Sequence, residues 1–175
     1  MGLLYHPRPG EIFMCEFPQE YLHGEMVKKR PVIILNKKMD GRPTLVNVVP
    51  ISMTPPDIVC AHHVPIGRMS MPKGLRDQEG DRWAKCDMVY TMSIQRLDFV
   101  RGHRSNSGAR VRDAGALPPA TLLAVRLATA KCLGVKAEHF AASKDPAPVL
   151  ATLAGLPEGS ANQDGPPPSQ AASPA

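Results

Sequence analysis

Between residues 11 and 100, glycine and proline cut the chain into short runs of β-favouring residues, and this punctuation most constrains its fold. Alternation and β-branched enrichment predict strands at about 11–17, 31–37, 44–52, 58–66, 83–92 and 97–100. Gly10, Asp40-Gly41 and Pro55-Pro56 separate them. Asp40-Gly41 between two apolar runs is a hairpin signal, and its flanks Lys38, Met39, Arg42 and Pro43 predict a loop wider than two residues. Short strands in succession with turn chemistry between them argue a small, mostly antiparallel β-barrel. The period then changes. From Leu117-Pro118-Pro119 to Leu133, one apolar row runs through Leu123, Leu127 and Ala130, and a second through Leu122, Val125, Thr129 and Cys132. Proline at the start and Gly134 just past the end bound a helix. The expected class is mainly β (α+β), five to seven strands and a C-terminal α-helix.

The run Lys28-Lys29-Arg30-Pro31-Val32-Ile33-Ile34-Leu35 places a basic cluster directly before a core strand, with Pro31 at the strand's first position. Arg30 is then held by a rigid element. A guanidinium so fixed is a planar, permanently charged fork suited to a phosphate, and at a scissile phosphodiester it stabilises the developing charge. Taken alone, these eight residues equally describe a surface cation beside a strand.

From Ala141 to Ala175 the chain is mostly Ala, Pro, Ser and Gly. Such a segment buries too little apolar surface to offset its ordering entropy, so residues 1–140 are expected to be the folded domain and 141–175 a disordered tail. The formal charge is +5, but without the tail it is +7, with 20 bases against 13 acids. That favours a polyanionic partner, nucleic acid first, with an acidic protein equally compatible. Cys15, Cys60, Cys86 and Cys132 are widely spaced, with no secretory signal ahead of them, and read as reduced thiols of a cytoplasmic protein. Cys60-Ala61-His62-His63 suggests a metal site, but it has no paired Cys-x-x-Cys. It also lies in an expected strand, where His62 and His63 face opposite ways, so no metal or other cofactor is expected. No run approaches the length of a membrane span.

Pro9-Gly10-Glu11-Ile12, Lys29-Arg30-Pro31-Val32-Ile33-Ile34-Leu35, Val49-Pro50-Ile51-Ser52 and the run from Trp83 through Asp87 to Thr91 occur in the order and spacing of the PemK/MazF toxins. The chain resembles that family over residues 8–135. The resemblance implies an SH3-like barrel, a type II toxin-antitoxin system, and ribosome-independent, sequence-specific endoribonuclease activity on single-stranded RNA without a metal. It also implies a homodimer with RNA in the groove between protomers, and a cognate antitoxin that blocks this groove. Arg30 matches the family arginine before proline and is assigned phosphate binding and transition-state stabilisation. Ser52 stands where members usually carry threonine. Glu25 matches an acidic residue of some members' first long loop and is the candidate general base, with His23 as alternative base or acid. Asp87-Met88-Val89-Tyr90-Thr91 departs from the family's Asp-Gln-Val-Arg-Thr. Without that arginine, Lys28, Lys29 or Lys85 must supply the acid or phosphate clamp, or Tyr90 itself stacks on a base. Thr54 completes the substrate-binding candidates. Asp87 and Thr91 read as strand-end hydrogen-bonding residues, and Asn36 stands where many members have serine.

Two other readings remain open. A CcdB-like gyrase poison would share the barrel and helix but not the arginine and hydroxyl pair, and would end in bulky residues rather than Pro and Ala. A non-catalytic SH3-like module binding nucleic acid or protein would tolerate Ser52, Tyr90 and Asn36. Arg101, Arg104, Arg110 and Arg112 are expected in a solvated loop, with an RNA-contacting surface as the alternative.

Overall fold

The computed structural model describes residues 2–18, 25–26, 28–104 and 110–136. Three antiparallel strands form its centre: β1 (Glu11–Glu16), β2 (Lys29–Ile34) and β3 (Leu45–Ser52). Because side chains alternate along a strand, Phe13, Val32, Ile34, Val46 and Val48 share one face, while Ile12, Ile33, Val49 and Ile51 share the other. Both faces are buried, which is why Val32–Ile34 and Val48–Ile51 are unbroken apolar runs rather than alternating ones.

The inner face closes into a barrel. The intervening elements are β4 (His63–Pro65), α1 (Lys73–Arg76) and β5 (Trp83–Lys85). Next, β6 (Tyr90–Ser93) pairs with the first half of β3, from Leu45 opposite Ser93 to Val48 opposite Tyr90. One 3-10 turn at Ile94–Arg96, whose N-cap Ser93 accepts from the Gln95 N–H, delivers β7 (Leu97–Asp98) to β1. The ring β7-β1-β2-β3-β6 is thus joined at its ends by that turn, giving the expected small SH3-like barrel.

The outer face is covered by the helix. After β8 (Val100–Arg104), β9 (Arg110–Asp113) and β10 (Gly115–Ala116), α2 (Pro119–Cys132) lays Val125 and Ala128 with Leu117 and Met71 onto Ile12, Ile33, Val49 and Ile51. Burying a side chain such as Val125 stabilises by about 1.5–3 kcal/mol. Gly134, at φ +77°, ends the helix in the left-handed region, and Val135 N–H reaches back to Ala130 O. Of the two expected rows, the one through Leu122, Val125 and Thr129 faces the sheet, and Leu123 and Leu127 are exposed. Arg126 clamps the helix to Leu35 O at the end of β2.

Several expectations need correction. Pro31 is the third residue of β2, because pairing with β1 extends back to Lys29 opposite Glu16. The ladder to β3 begins only at Val32, so the proline lies outside it. The expected strand 58–66 shrinks to His63–Pro65, since Ile58 and Val59 are exposed and have no strand partner among the described residues. The run 83–92 is two strands split by a turn in which Met88 N–H meets Lys85 O, and each half pairs with a different half of β3. Arg101, Arg104, Arg110 and Arg112 lie on the paired strands β8 and β9 rather than in a loop. Asp40-Gly41 forms a two-residue tip, Gly41 at φ +71° and Arg42 N–H on Met39 O, inside the wider loop. The tail 141–175 lies outside the described residues. Among those described, no helix is long and apolar enough to cross a membrane.

Candidate nucleic-acid interface

Past Val48, β3 parts from β6, and on that edge its end takes β5 as partner, Ile51 opposite Ala84 and Ser52 opposite Trp83. Beyond β5 lies β4, with Pro65 opposite Trp83 and His63 opposite Lys85. Arg30 shares the inner face with Val32, whose partner on β3 is Pro50. Continued by two residues, that register sets Arg30 against Ser52, on the same face. Directly paired residues point the same way, so Arg30, Ser52, Trp83, Lys85 and His63 occupy one face of the β2-β3-β5-β4 sheet.

Two nitrogen donors on this face lack acceptors. Arg30 Nε and Trp83 Nε1 are buried with no hydrogen-bond partner among the described residues. A buried N–H left unpaired costs about 1–3 kcal/mol, a cost that an acceptor reaching either nitrogen would recover. Ser52 Oγ closes its own turn, donating to Thr54 O at 2.8 Å and accepting from Thr54 N–H at 3.2 Å. A hydroxyl has one proton and two lone pairs, so its proton can rotate to another acceptor while the Thr54 N–H contact stays. Thr54 itself is exposed.

Tyr90, which stands in place of the expected arginine, makes structural contacts. Its hydroxyl accepts from Met26 N–H at 3.0 Å, and its ring meets Phe17 edge-on at 5.0 Å. It therefore ties Met26, next to exposed Glu25, to the start of β6. Lys28, at the junction with β2, has φ +68°, a left-handed conformation that lysine adopts at a cost. Its carbonyl accepts from Phe17 N–H. Lys29 alternates to the outside of the barrel, opposite in direction to Arg30, and pairs with Asp98 at 3.6 Å. It does not join the site face. His23 lies outside the described residues.

Lys85 Nζ is 3.1 Å from His63 Nε2. Partial burial, then Lys85 and His62, hold His63 below its ordinary pKa, which keeps the ring neutral near pH 7. His62 belongs to the turn before β4 rather than to a strand, so the two rings do not diverge as expected but lie 4.1 Å apart. Ligand atoms of Cys60, His62 and His63 fall within 4.8 Å of one another. His63 Nδ1, however, accepts from Cys60 N–H, and Nε2 lies beside Lys85 Nζ. A neutral imidazole has one lone pair, so a metal would have to displace the Cys60 N–H from it. Asp87 sits 3.9 Å from His62 Nε2. Thr91 donates to Asn47 Oδ1, and Asn36 Oδ1 accepts from Asn47 N–H, knitting strand edges as hydrogen-bonding residues.

Sequence reasoning missed Trp83 and His63 on this face, and Arg82 behind it. Arg82 is 5% exposed, and its guanidinium donates to Gly80 O, Leu75 O, Arg76 O and Gln78 O, organising the loop that leads into β5. The only available signal was an arginine immediately before an aromatic strand start, which is too common to single out.

A family model described as PemK-like, MazF-like toxin of type II toxin-antitoxin system matches residues 8–130. An uncharacterized protein of Escherichia coli (strain K12), YifN, is 31% identical over 121 residues, 59% of this chain and 80% of that protein. An uncharacterized protein of Haemophilus influenzae is 32% identical over 107 residues, covering 55% of this chain and 72% of its own. Among solved structures, the Mycobacterium tuberculosis toxin MazF-mt6 has 22% identity and a TM-score of 0.47, covering 74% of this chain and 99% of that one. MazE-MazF (Form-II) from Deinococcus radiodurans has 16% identity and a TM-score of 0.49, covering 75% and 99%. Likeness of that degree establishes nothing beyond the family match.

Proposed function

This chain belongs to the PemK-like, MazF-like toxins of type II toxin-antitoxin systems, and from that membership we propose that it is a metal-independent, sequence-specific endoribonuclease acting on single-stranded RNA in the cytoplasm. The observation that carries the reading is Arg30: a permanent cation at the end of a core strand, with its Nε buried and unbonded, on the same face as Ser52.

The chemistry is transfer of a phosphoryl bond within the substrate. The ribose 2′-hydroxyl loses its proton to a base, and its oxygen bonds to the adjacent phosphorus. The P–O5′ bond breaks, and the leaving oxygen takes a proton, giving a 2′,3′-cyclic phosphate and a 5′-hydroxyl. Arg30 carries the charge that grows on the non-bridging oxygens, an arrangement that gains most where water is excluded. Ser52 turns its proton from Thr54 O to a phosphate oxygen. Glu25 is the base in this scheme, with His23 as the alternative. Lys28 and Lys85 remain as acids in place of the family arginine. Lys29, held outward by Asp98, is the weaker candidate.

A toxin of a type II system is neutralised by a protein antitoxin, and the +7 charge of residues 1–140 suits both an acidic antitoxin and RNA. We assign the working form to a homodimer, by analogy with the family. The test is incubation of purified protein in EDTA with mixed-sequence single-stranded RNA, followed by mapping of fragment ends. Sequence-specific cuts leaving cyclic phosphate and 5′-hydroxyl ends, lost in Arg30→Ala with the fold intact, are expected. Equal cleavage by Arg30→Ala removes Arg30 from the mechanism, and no cleavage by the parent moves the weight to a non-catalytic binding module or a gyrase poison.

A further inference from the structure

Beyond Arg30 and Ser52, the same face continues across two more strands with Trp83, His63 and Lys85. We propose that these three form a nucleotide subsite, in which a base of single-stranded nucleic acid stacks on the Trp83 indole and its phosphate is held by Lys85. The inference rests on the endoribonuclease reading and names where the substrate extends from the scissile phosphate.

Register supplies the geometry. Trp83 is directly opposite Ser52, one strand away at about 4.8 Å, and His63 lies one strand further. His63 meets the Trp83 ring at 76°, with centroids 6.4 Å apart, so the two rings do not stack on one another and the half-buried indole has no parallel partner in this contact. The buried, unbonded Trp83 Nε1 adds a donor beside the stacking surface. Arg30 and Lys85 supply cations at either side of the strip. Aromatic platforms flanked by cations are how single strands are gripped without base-edge readout. An acidic peptide would use the cations but give the indole face nothing to stack on, so nucleic acid is the better occupant.

Trp83 is the only tryptophan in the chain, which makes it a reporter of its own occupancy. The full-length protein is titrated with short 2′-deoxy oligonucleotides, homopolymers and a randomised pool, which lack the attacking hydroxyl and cannot be cut. Tryptophan emission and the anisotropy of a labelled oligonucleotide are followed together. Expected are saturable quenching that tracks binding, and affinity about five- to 150-fold weaker in Trp83→Leu, the range for one lost stacked base. His63→Ala, which keeps the reporter, should weaken both binding and quenching. Binding without an emission change, or unchanged affinity in Trp83→Leu, overturns the subsite while leaving the nuclease reading intact. Quenching by poly-glutamate but not by oligonucleotide overturns it in favour of an acidic protein partner. If no oligonucleotide binds and the parent cleaves no RNA, both readings fall.

Discussion

Replacing Arg82 by methionine removes the buried guanidinium behind the proposed interface while keeping most of the side-chain volume. Arg82 donates to Gly80 O at 2.6 Å and Leu75 O at 3.0 Å, makes a further short contact to Gln78 O, and reaches Arg76 O at 3.4 Å. Three good bonds from a charged donor are worth about 1.5–3 kcal/mol each before costs. Against that stands the several kcal/mol needed to bury a cation, and no carboxylate contacts it among the described residues. Loop residues 77–81 are exposed, so water recovers part of what the freed carbonyls lose. The net loss on Arg82→Met is about 2–3 kcal/mol, read as a lower urea midpoint at unchanged m-value. Arg82→Lys, with one nitrogen in place of the fork, should recover less than half. Since Arg82 O also accepts from Ile66 N–H at 2.7 Å, loosening of the loop in the variant reaches the paired strands β4 and β5, and oligonucleotide affinity should fall with stability. A urea midpoint within error of the parent for Arg82→Met would refute the reasoning, because it would mean the four carbonyls are satisfied equally well without the guanidinium.

Burial pushes the Cys15 and Cys86 thiols up from 9.0 to about 12, so the folded state holds its protons where the unfolded chain releases them. Stability is whole below about pH 9 and falls as pH rises towards 12, by up to about 1.4 kcal/mol per pH unit for each thiol. Alkaline urea titrations of the parent against Cys15→Ala and Cys86→Ala should show that slope shrinking, and a parallel pair of curves would count against it. In the native protein exposed Cys60 and Cys132 should react with a thiol reagent well before Cys15 and Cys86. At Lys28, φ +68° predicts that Lys28→Gly is tolerated while Lys28→Val costs about 1–2 kcal/mol more, by comparison of thermal midpoints. Equal midpoints for the two variants would show that the left-handed turn is not adopted in solution.

Much of the fold was legible because the periods differ. Strands β1, β2 and β3 were bounded to within two or three residues by Gly10, Pro31 and Pro55, and the helix by Pro118 and Gly134. What alternation could not show was where one apolar run serves two sheets. The residues 83–92 read as a single strand, yet their halves pair with opposite ends of β3, since a turn at Cys86–Val89 redirects the chain. Ile58 and Val59 have strand composition but no neighbour to pair with, and β propensity without a partner does not make a strand. At the candidate site, Arg30 and Ser52 were recognisable by motif. That Lys29 faces away from Arg30 follows from strand alternation only once β2 is known to begin at Lys29, which its pairing with Glu16 shows.

The residue order by itself determined the short strands, the terminal helix, the basic surface and the family, because turn residues, hydrophobic period, charge and motif spacing are all local properties. Only the tertiary structure decided that Tyr90 holds the first loop, that His62 and His63 lie together, and that Trp83 stands beside Ser52. Each of those facts is a contact between segments distant in the chain, set by which strands share a sheet and in what register, and no window of sequence contains it.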